Sequence, residues 1–322
     1  MGADHARLIA GSVSGASLEM IADVDLARAS AVADSVGGAR ITTDARALID
    51  DSSVDAVIIA SHDSTHAEYA IAAIRAGKPV LCEKPLAPTI DECLPIIEEE
   101  RRARGGTGLP LVSVGFMRRF DPAYLELKAA TGASIGRPLL VHCRSRSISS
   151  ATGSTSEGSI SGSAIHEFDI VPWLLDSRVT EVSWHAPLSA LDTMQDPQVM
   201  LLRTEDGALT TVETFLNARY GYDIMCEVVG ESGTIALKNP AATTVSVSGR
   251  ESSNYAADWR PRFAEAYRLE LKSWIDALVA GEPSPLATAH DGLVAVAVAS
   301  AAIDSMRSGG KPTAVRLDFE DA

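Results

Sequence analysis

From Leu18 to Val114, short apolar runs alternate with stretches of helical periodicity. LEMIAD, ARI, VDAVIIAS, PVLCEK and LPLVSVG read as strands, and LARASAVADSV, ARALID, HAEYAIAAIRAG and IDECLPIIEEERRAR as helices. In HAEYAIAAIRAG the residues Ala67, Ala70, Ile71 and Ile74 share one face, and Gly77 supplies the stop. Strands and helices alternating at this spacing predict right-handed βαβ units in a parallel sheet. The rhythm changes after about residue 116. LLVHCRSRS, EVSWHAP, VMLLRT, ALTTVETF and DIMCEVVG read as strands, with hairpin signals at Glu205-Asp206-Gly207 and Glu231-Ser232-Gly233, which predicts a mostly antiparallel sheet. Two helices interrupt it, AIHEFDIVPWLL and a long one from Phe263 to Ala280 with Phe263, Tyr267, Leu271, Trp274 and Leu278 on one face. SSATGSTSEGSISGS, at 149–163, reads as a loop, either an excursion or a lid. The pattern predicts an α/β chain of two domains, residues 1–114 and 115–322.

The opening MGADHARLIAG carries a helix-like run, Ala6, Leu8, Ile9 and Ala10, directly behind a glycine. A dinucleotide-binding Rossmann half begins with a strand, a glycine-rich turn and a helix whose N-terminus receives the pyrophosphate. Here the first strand is expected to be missing. Gly2 then stands at the last glycine of G-x-G-x-x-G, and Asp23, directly after LEMIA, at the acidic position that grips the ribose 2′-hydroxyl. In the strand order 3-2-1-4-5-6 the missing strand is central, so its neighbours would lack backbone partners. Gly2 also reads as an ordinary N-terminal residue, and Asp23 or Asp25 as the N-cap of the helix from Leu26; the cap suits Asp25 better and the ribose role Asp23.

Composition narrows the classes. The 322 residues suffice for two cores, and 46% hydrophobic residues with a mean hydropathy of +0.09 exclude a disordered chain. The formal net charge of −15 argues against a nucleic-acid partner. Cys82, Cys93, Cys143 and Cys226 form no CxxC pair, which indicates neither a metal site nor a disulfide framework and fits the cytoplasm. GLVAVAVASAAI, between Asp291 and Asp304, is too short to span a membrane and reads as a buried helix.

The chemistry concentrates in CEKPL at 82–86. Pro85 forces Lys84 into an extended conformation at the carboxyl end of the sheet, where ligands of open α/β folds bind; the plainer reading is a surface Glu-Lys pair. E-K-P, ASHDSTHAE after the preceding strand, GFMRRFDPAY at 115–124 and AIHEFDIVPWLL together resemble the Gfo/Idh/MocA oxidoreductase family. NARYGYDIMCEVVGESG at 217–233 and WRPRFAEAYRLELKSWIDAL at 259–278 are similar to that family's inositol dehydrogenases. The resemblance implies a Rossmann domain followed by an α/β domain with an open, mostly antiparallel sheet that builds homodimers or homotetramers. It also implies NAD as cofactor and a secondary alcohol of a cyclic polyol or sugar as substrate. By the same resemblance His166, in the context I-H-E-x-D with Asp169, is the catalytic histidine, and Lys84 hydrogen-bonds the reacting oxygen and tunes the proton transfer. Arg118, Tyr220 and Tyr222 match polar positions near the polyol. Ser61, His62, Thr65, His66 and Glu83 match the nicotinamide side, each also readable as a helix cap or loop residue.

Three positions depart from the pattern. The aspartate expected four residues before the histidine is Gly162, and a His-Arg-Asn tripeptide on the second domain's first strand is Ser145, Arg146, Ser147. Losing a carboxylate that orients the imidazole weakens general-base catalysis. Two expectations stay open: a dehydrogenase whose enlarged pocket takes a different polyol or sugar derivative, or a degenerate, non-catalytic relative that binds a sugar-like ligand or a partner subunit. Retention of Lys84, His166 and Asp169 favours the first.

Overall fold

The protein is described by a computed structural model covering residues 1–188, 194–238 and 243–316. Its elements run α1 (Gly2–Gly11), β1 (Met20–Ala22), α2 (Leu26–Ser35), β2 (Arg40–Thr42), α3 (Ala45–Asp50), β3 (Val57–Ile59), α4 (His66–Arg75), β4 (Val80–Glu83), α5 (Ile90–Thr107) and β5 (Val112–Gly115). After these come α6 (Pro122–Ala130), β6 (Pro138–Arg146), α7 (Ser156–Ser159), α8 (Ile165–Leu175), β7 (Val179–His185), β8 (Gln198–Thr204), β9 (Leu209–Phe215) and β10 (Asp223–Gly230). The last are β11 (Thr234–Ala236), β12 (Thr244–Val247), β13 (Arg250–Ser253), α9 (Trp259–Ala280), β14 (Ala287–Thr288), α10 (Ala289–Arg307) and β15 (Thr313–Ala314).

The starts of the early helices follow from side chains that satisfy their first N–H groups. Asp25 accepts from Ala27 N and Arg28 N at the head of α2, Asp44 from Arg46 N and Ala47 N at the head of α3, and Thr89 from Glu92 N at the head of α5. In α4 the buried face is Ala70, Ala73 and Ile74, and His66 lies on that same face one turn before Ala70. Gly77, at φ +70, ends the helix as the sequence predicts.

The chain divides into two compact units, one of Met1–Met117 with Glu265–Val296, the other of Arg118–Ala264 with Ala297–Ala322. The expected break at 114/115 therefore falls within three residues of the first crossing, but 115–322 is not one piece. Antiparallel pairing of β14 with β5 and the later part of α9 return the chain to the first unit. Hydrophobic periodicity shows that a segment has a buried face, not which core receives it.

In the first unit β3, β4 and β5 run parallel, with β14 on the outer side of β5. β1 and β2 form a separate parallel pair, so among the described residues β1 pairs only with β2 and β3 only with β4. In the second unit seven strands run in the order β11-β10-β6-β9-β8-β7-β15. All adjacent pairs are antiparallel except β6 and β9, as the hairpin signals predict for most of the sheet. Strand alternation gives this sheet two different faces. Val141, Cys143, Met200, Leu202, Val212, Cys226 and Val228 are buried on one, while Leu140 and Leu201 stand partly exposed on the other.

The Ser/Gly-rich stretch is the main departure among the elements. It is helical from Ser156, where Thr155 caps α7, and it continues through a π-helical turn over Ile160–Ala164 into α8. Small residues removed the periodicity signal without preventing a helix, since Ile160 and Ala164 bury completely at that turn.

Candidate active site

The first unit holds the candidate cofactor and lysine residues. Asp23 follows β1 and accepts, on Oδ1, the Asp25 N–H at 2.8 Å and Arg28 Nη2 at 2.8 Å. Its burial opposes ionisation, yet the Arg28 hydrogen bond and charge hold the carboxyl below its usual value. The second oxygen, Oδ2, keeps lone pairs suited to a ribose hydroxyl. Asp25 is the cap of α2, accepting from Ala27 N and Arg28 N. At the start of α1, a Cβ on Gly2 would stand 3.7 Å from Ala60 Cβ, which puts that helix N-terminus beside the end of β3. An acidic strand end and a helix N-terminus against the neighbouring strand end are the parts a dinucleotide requires, and they fit NAD.

Lys84 is half-buried just past the end of β4, between buried Glu83 and buried Pro85. Glu83 accepts from His5 Nε2 at 2.7 Å. Burial pushes the Glu83 carboxyl up, and the hydrogen bond and charge of His5, with the charge of Lys84, bring it below the usual carboxylate value. His66, 2% exposed, places Nδ1 2.7 Å from Pro85 O and Nε2 3.3 Å from Ser61 O. Ser61 Oγ and Thr65 Oγ1 are 2.7 Å apart, and Thr65 Oγ1 donates to His62 O at 2.7 Å. The His62 side chain is 80% exposed and caps the turn at Ser64 N. Within this group Glu83 and His66 are internal supports, and Ser61, His62 and Thr65 shape the turn before α4.

The second unit holds the histidine. His166, half-buried, is the second residue of α8, directly behind the π-helical turn that contains Gly162. On the same helix Glu167 is paired with Arg118 Nη1, and Asp169 receives Arg119 Nε at 3.0 Å. Arg118 is 1% exposed: burial works against its charge, and Glu167 more than compensates, so the guanidinium stays firmly protonated. The Arg118 guanidinium also lies 5.7 Å over the Phe263 ring, against which Tyr222 packs edge-on at 6.3 Å. Burial raises the Tyr222 phenol, with Arg118 opposing. Arg118, expected at the polyol, is thus an internal ion-pair partner of α8.

Tyr220 and Tyr222, grouped by the sequence, lie on opposite sides of the sheet. Ser145, 6% exposed, shares the inner face with Cys143 and Cys226, and strand alternation assigns Tyr222 to that face. Tyr220 joins the outer face, where its hydroxyl donates to Asp223 and lies 3.2 Å from Arg146 Nη1, while Arg146 grips Glu213 at 2.6 and 2.9 Å. Ser147 leaves the strand with its N–H on Phe215 O at 3.0 Å. Among the described residues, a Cβ on Gly162 would meet nothing within 4 Å.

His5 and Glu167 were not singled out as site residues in the sequence, and Tyr267 was placed there only on the apolar face of the long helix. A lone histidine in an apolar helix reads as core, and only its reach to Glu83, 78 residues away, reveals the pairing.

Comparison with known proteins divides the chain once, in sequence order. A model of the Gfo/Idh/MocA oxidoreductase family, NAD-binding Rossmann fold, matches residues 1–105, and that family's C-terminal alpha/beta domain matches residues 131–315. Inositol 2-dehydrogenase 2 of Paenarthrobacter aurescens is 50% identical over 319 residues, covering 98% of this chain and 96% of that protein. The inositol 2-dehydrogenase/D-chiro-inositol 3-dehydrogenase of Shouchella clausii is 40% identical over 314 residues, covering 96% of this chain and 90% of that protein. Among solved structures, myo-inositol dehydrogenase from Lactobacillus casei in complex with NAD(H) and myo-inositol superposes with a TM-score of 0.92 at 29% identity, covering 98% of this chain and 94% of that one.

Proposed function

The chain belongs to the Gfo/Idh/MocA oxidoreductase family, and on that premise we propose that it is an NAD-dependent dehydrogenase oxidising one secondary alcohol of a cyclic polyol or sugar to a ketone, inositols first among them. The observation that carries the reading is Lys84, half-buried and fixed in sequence between Glu83 and Pro85 at the carboxyl end of a parallel strand. When bound, NAD supplies the acceptor for the carbinol hydride. Asp23 would hold its ribose, and the N-terminus of α1 would lie at its pyrophosphate. His166 takes the hydroxyl proton as the C–H bond breaks and the carbonyl forms, and Lys84 hydrogen-bonds the reacting oxygen. Ser145, Ser147 and Gly162 leave the polyol side with small groups, which supports a substrate larger than an unsubstituted inositol as well as inositol itself.

The assembly we propose is a homodimer or homotetramer built on the outer face of the seven-stranded sheet, where Leu140 and Leu201 are 37% and 38% exposed. The four cysteines are free and buried, which suits a reducing compartment such as the cytoplasm. No described helix is long and apolar enough to cross a membrane.

The test is NADH formation with a panel of inositols and sugars, native protein beside Lys84→Ala. Turnover by the native protein and none by a variant of near-native melting temperature is expected. Equal rates would remove Lys84 from the site. NADH binding without turnover of any polyol would favour the ligand-binding, non-catalytic reading.

A further inference from the structure

Two buried histidines grip the E-K-P turn from either side of its lysine. His5, on α1, is 2% exposed and holds the Glu83 carboxylate at 2.7 Å through Nε2. Because that carboxylate is an acceptor when ionised, Nε2 carries the proton. Nδ1 of the same ring is buried with no hydrogen-bond partner among the described residues, and the Tyr267 ring stands edge-on to the imidazole at 6.0 Å. His66 comes from the other side. Its Nδ1 lies 2.7 Å from Pro85 O, and a carbonyl oxygen only accepts, so Nδ1 is the protonated nitrogen of that pair. Glu83 and Pro85 are the residues immediately before and after Lys84, and Glu83 is also fixed in register against Gly115 of β5, where a Cβ would come within 3.4 Å of the carboxylate.

We propose that His5 and His66 are positioning residues for Lys84, His5 acting through the Glu83 carboxylate and His66 through the Pro85 carbonyl. The proposal rests on the reading of Lys84 given above and deepens it. A long lysine side chain carries large rotamer freedom, and an extended turn alone does not fix its root. Two hydrogen bonds anchored on separate helices, one to the Glu83 side chain and one to the Pro85 carbonyl, hold the residues on both sides of the lysine. A proton-transfer partner gains from such fixing, because a misplacement of about 1 Å costs on the order of 10²-fold in rate.

The two histidines use different ring nitrogens, and that difference supplies the test. A glutamine amide nitrogen reaches the place of Nε2, and an asparagine amide nitrogen the place of Nδ1. His5→Gln and His66→Asn therefore keep the grips, whereas His5→Asn and His66→Gln keep polarity and approximate size but lose them. The expected result is near-native kcat for the first pair and a loss of about 10²-fold for the second, with KM and NADH affinity little changed. A second readout needs no substrate: the rate of Lys84 acetylation by acetic anhydride, measured by mass spectrometry against Lys78 and Lys128 as internal standards. It should change in His5→Asn, where the grip on Glu83 is lost, and hold in His5→Gln. Equal behaviour of asparagine and glutamine at both positions, in kcat and in labelling, would overturn the proposal. A native protein that turns over no polyol, with labelling that still separates the variants, would sink the dehydrogenase reading and leave the positioning intact.

Discussion

At the level of single side chains, the proposed ribose role of Asp23 predicts a cofactor preference that Arg28 modulates. The carboxylate repels a 2′-phosphate, but Arg28, 2.8 Å away, is a cation of the kind that accommodates one. NAD is expected to be preferred, and Asp23→Ser to shift the ratio of kcat/KM values toward NADP while Arg28 remains; a native enzyme indifferent between the two would remove Asp23 from the ribose. Glu83 predicts an acid-side response. Its carboxyl is held below the usual value, so its stabilising contribution is complete above the unfolded-state value of about 4.3 and is lost as pH falls through the lower native value. Urea midpoints of native protein and Glu83→Gln should differ by a constant amount at neutral pH and converge below about pH 4. Lys84 and His166 stand out in the chain because a proline and a motif mark them, and what the structure adds is that both are half-buried. Arg118 was legible as important but not in its role, since a guanidinium bound to substrate and one bound to Glu167 look alike in sequence.

Among elements, the alternation of strand and helix and the switch to antiparallel pairing were readable from periods of 3.6 and 2. The π-helical turn was not, because it needs only one extra residue in a run of small side chains. That turn bears on Gly162. Four residues separate it from His166, the spacing that shares a face in a regular helix, whereas i→i+5 bonding widens the turn just before the histidine. An added side chain has room, with nothing among the described residues within 4 Å of a Cβ. Gly162→Asp is expected to raise kcat on inositols, recovering part of the roughly 10²- to 10⁴-fold that a well-oriented general base supplies. No gain in kcat, in a variant with native NADH affinity, would assign the pocket to another substrate.

For the whole molecule, the assembly proposed on the outer sheet face can be tested by one charge. Leu201→Asp puts a charge at the middle of β8 on that face, and light scattering should report a smaller species than the native one. An unchanged mass would move the interface elsewhere. The division of the chain into units was only half legible, since a helix pattern carries no address: Glu265–Val296 belongs with a core whose other residues end at Met117. That arrangement inverts the usual order of events on the ribosome, where domains complete themselves from the N-terminus onward. Most of the second unit, Arg118–Ala264, is synthesised while the first still lacks β14 along its β5 edge. The nascent nucleotide-binding half therefore waits, with an open strand edge, until residue 296 has left the tunnel, and a chain stopped before Glu265 lacks part of both units at once.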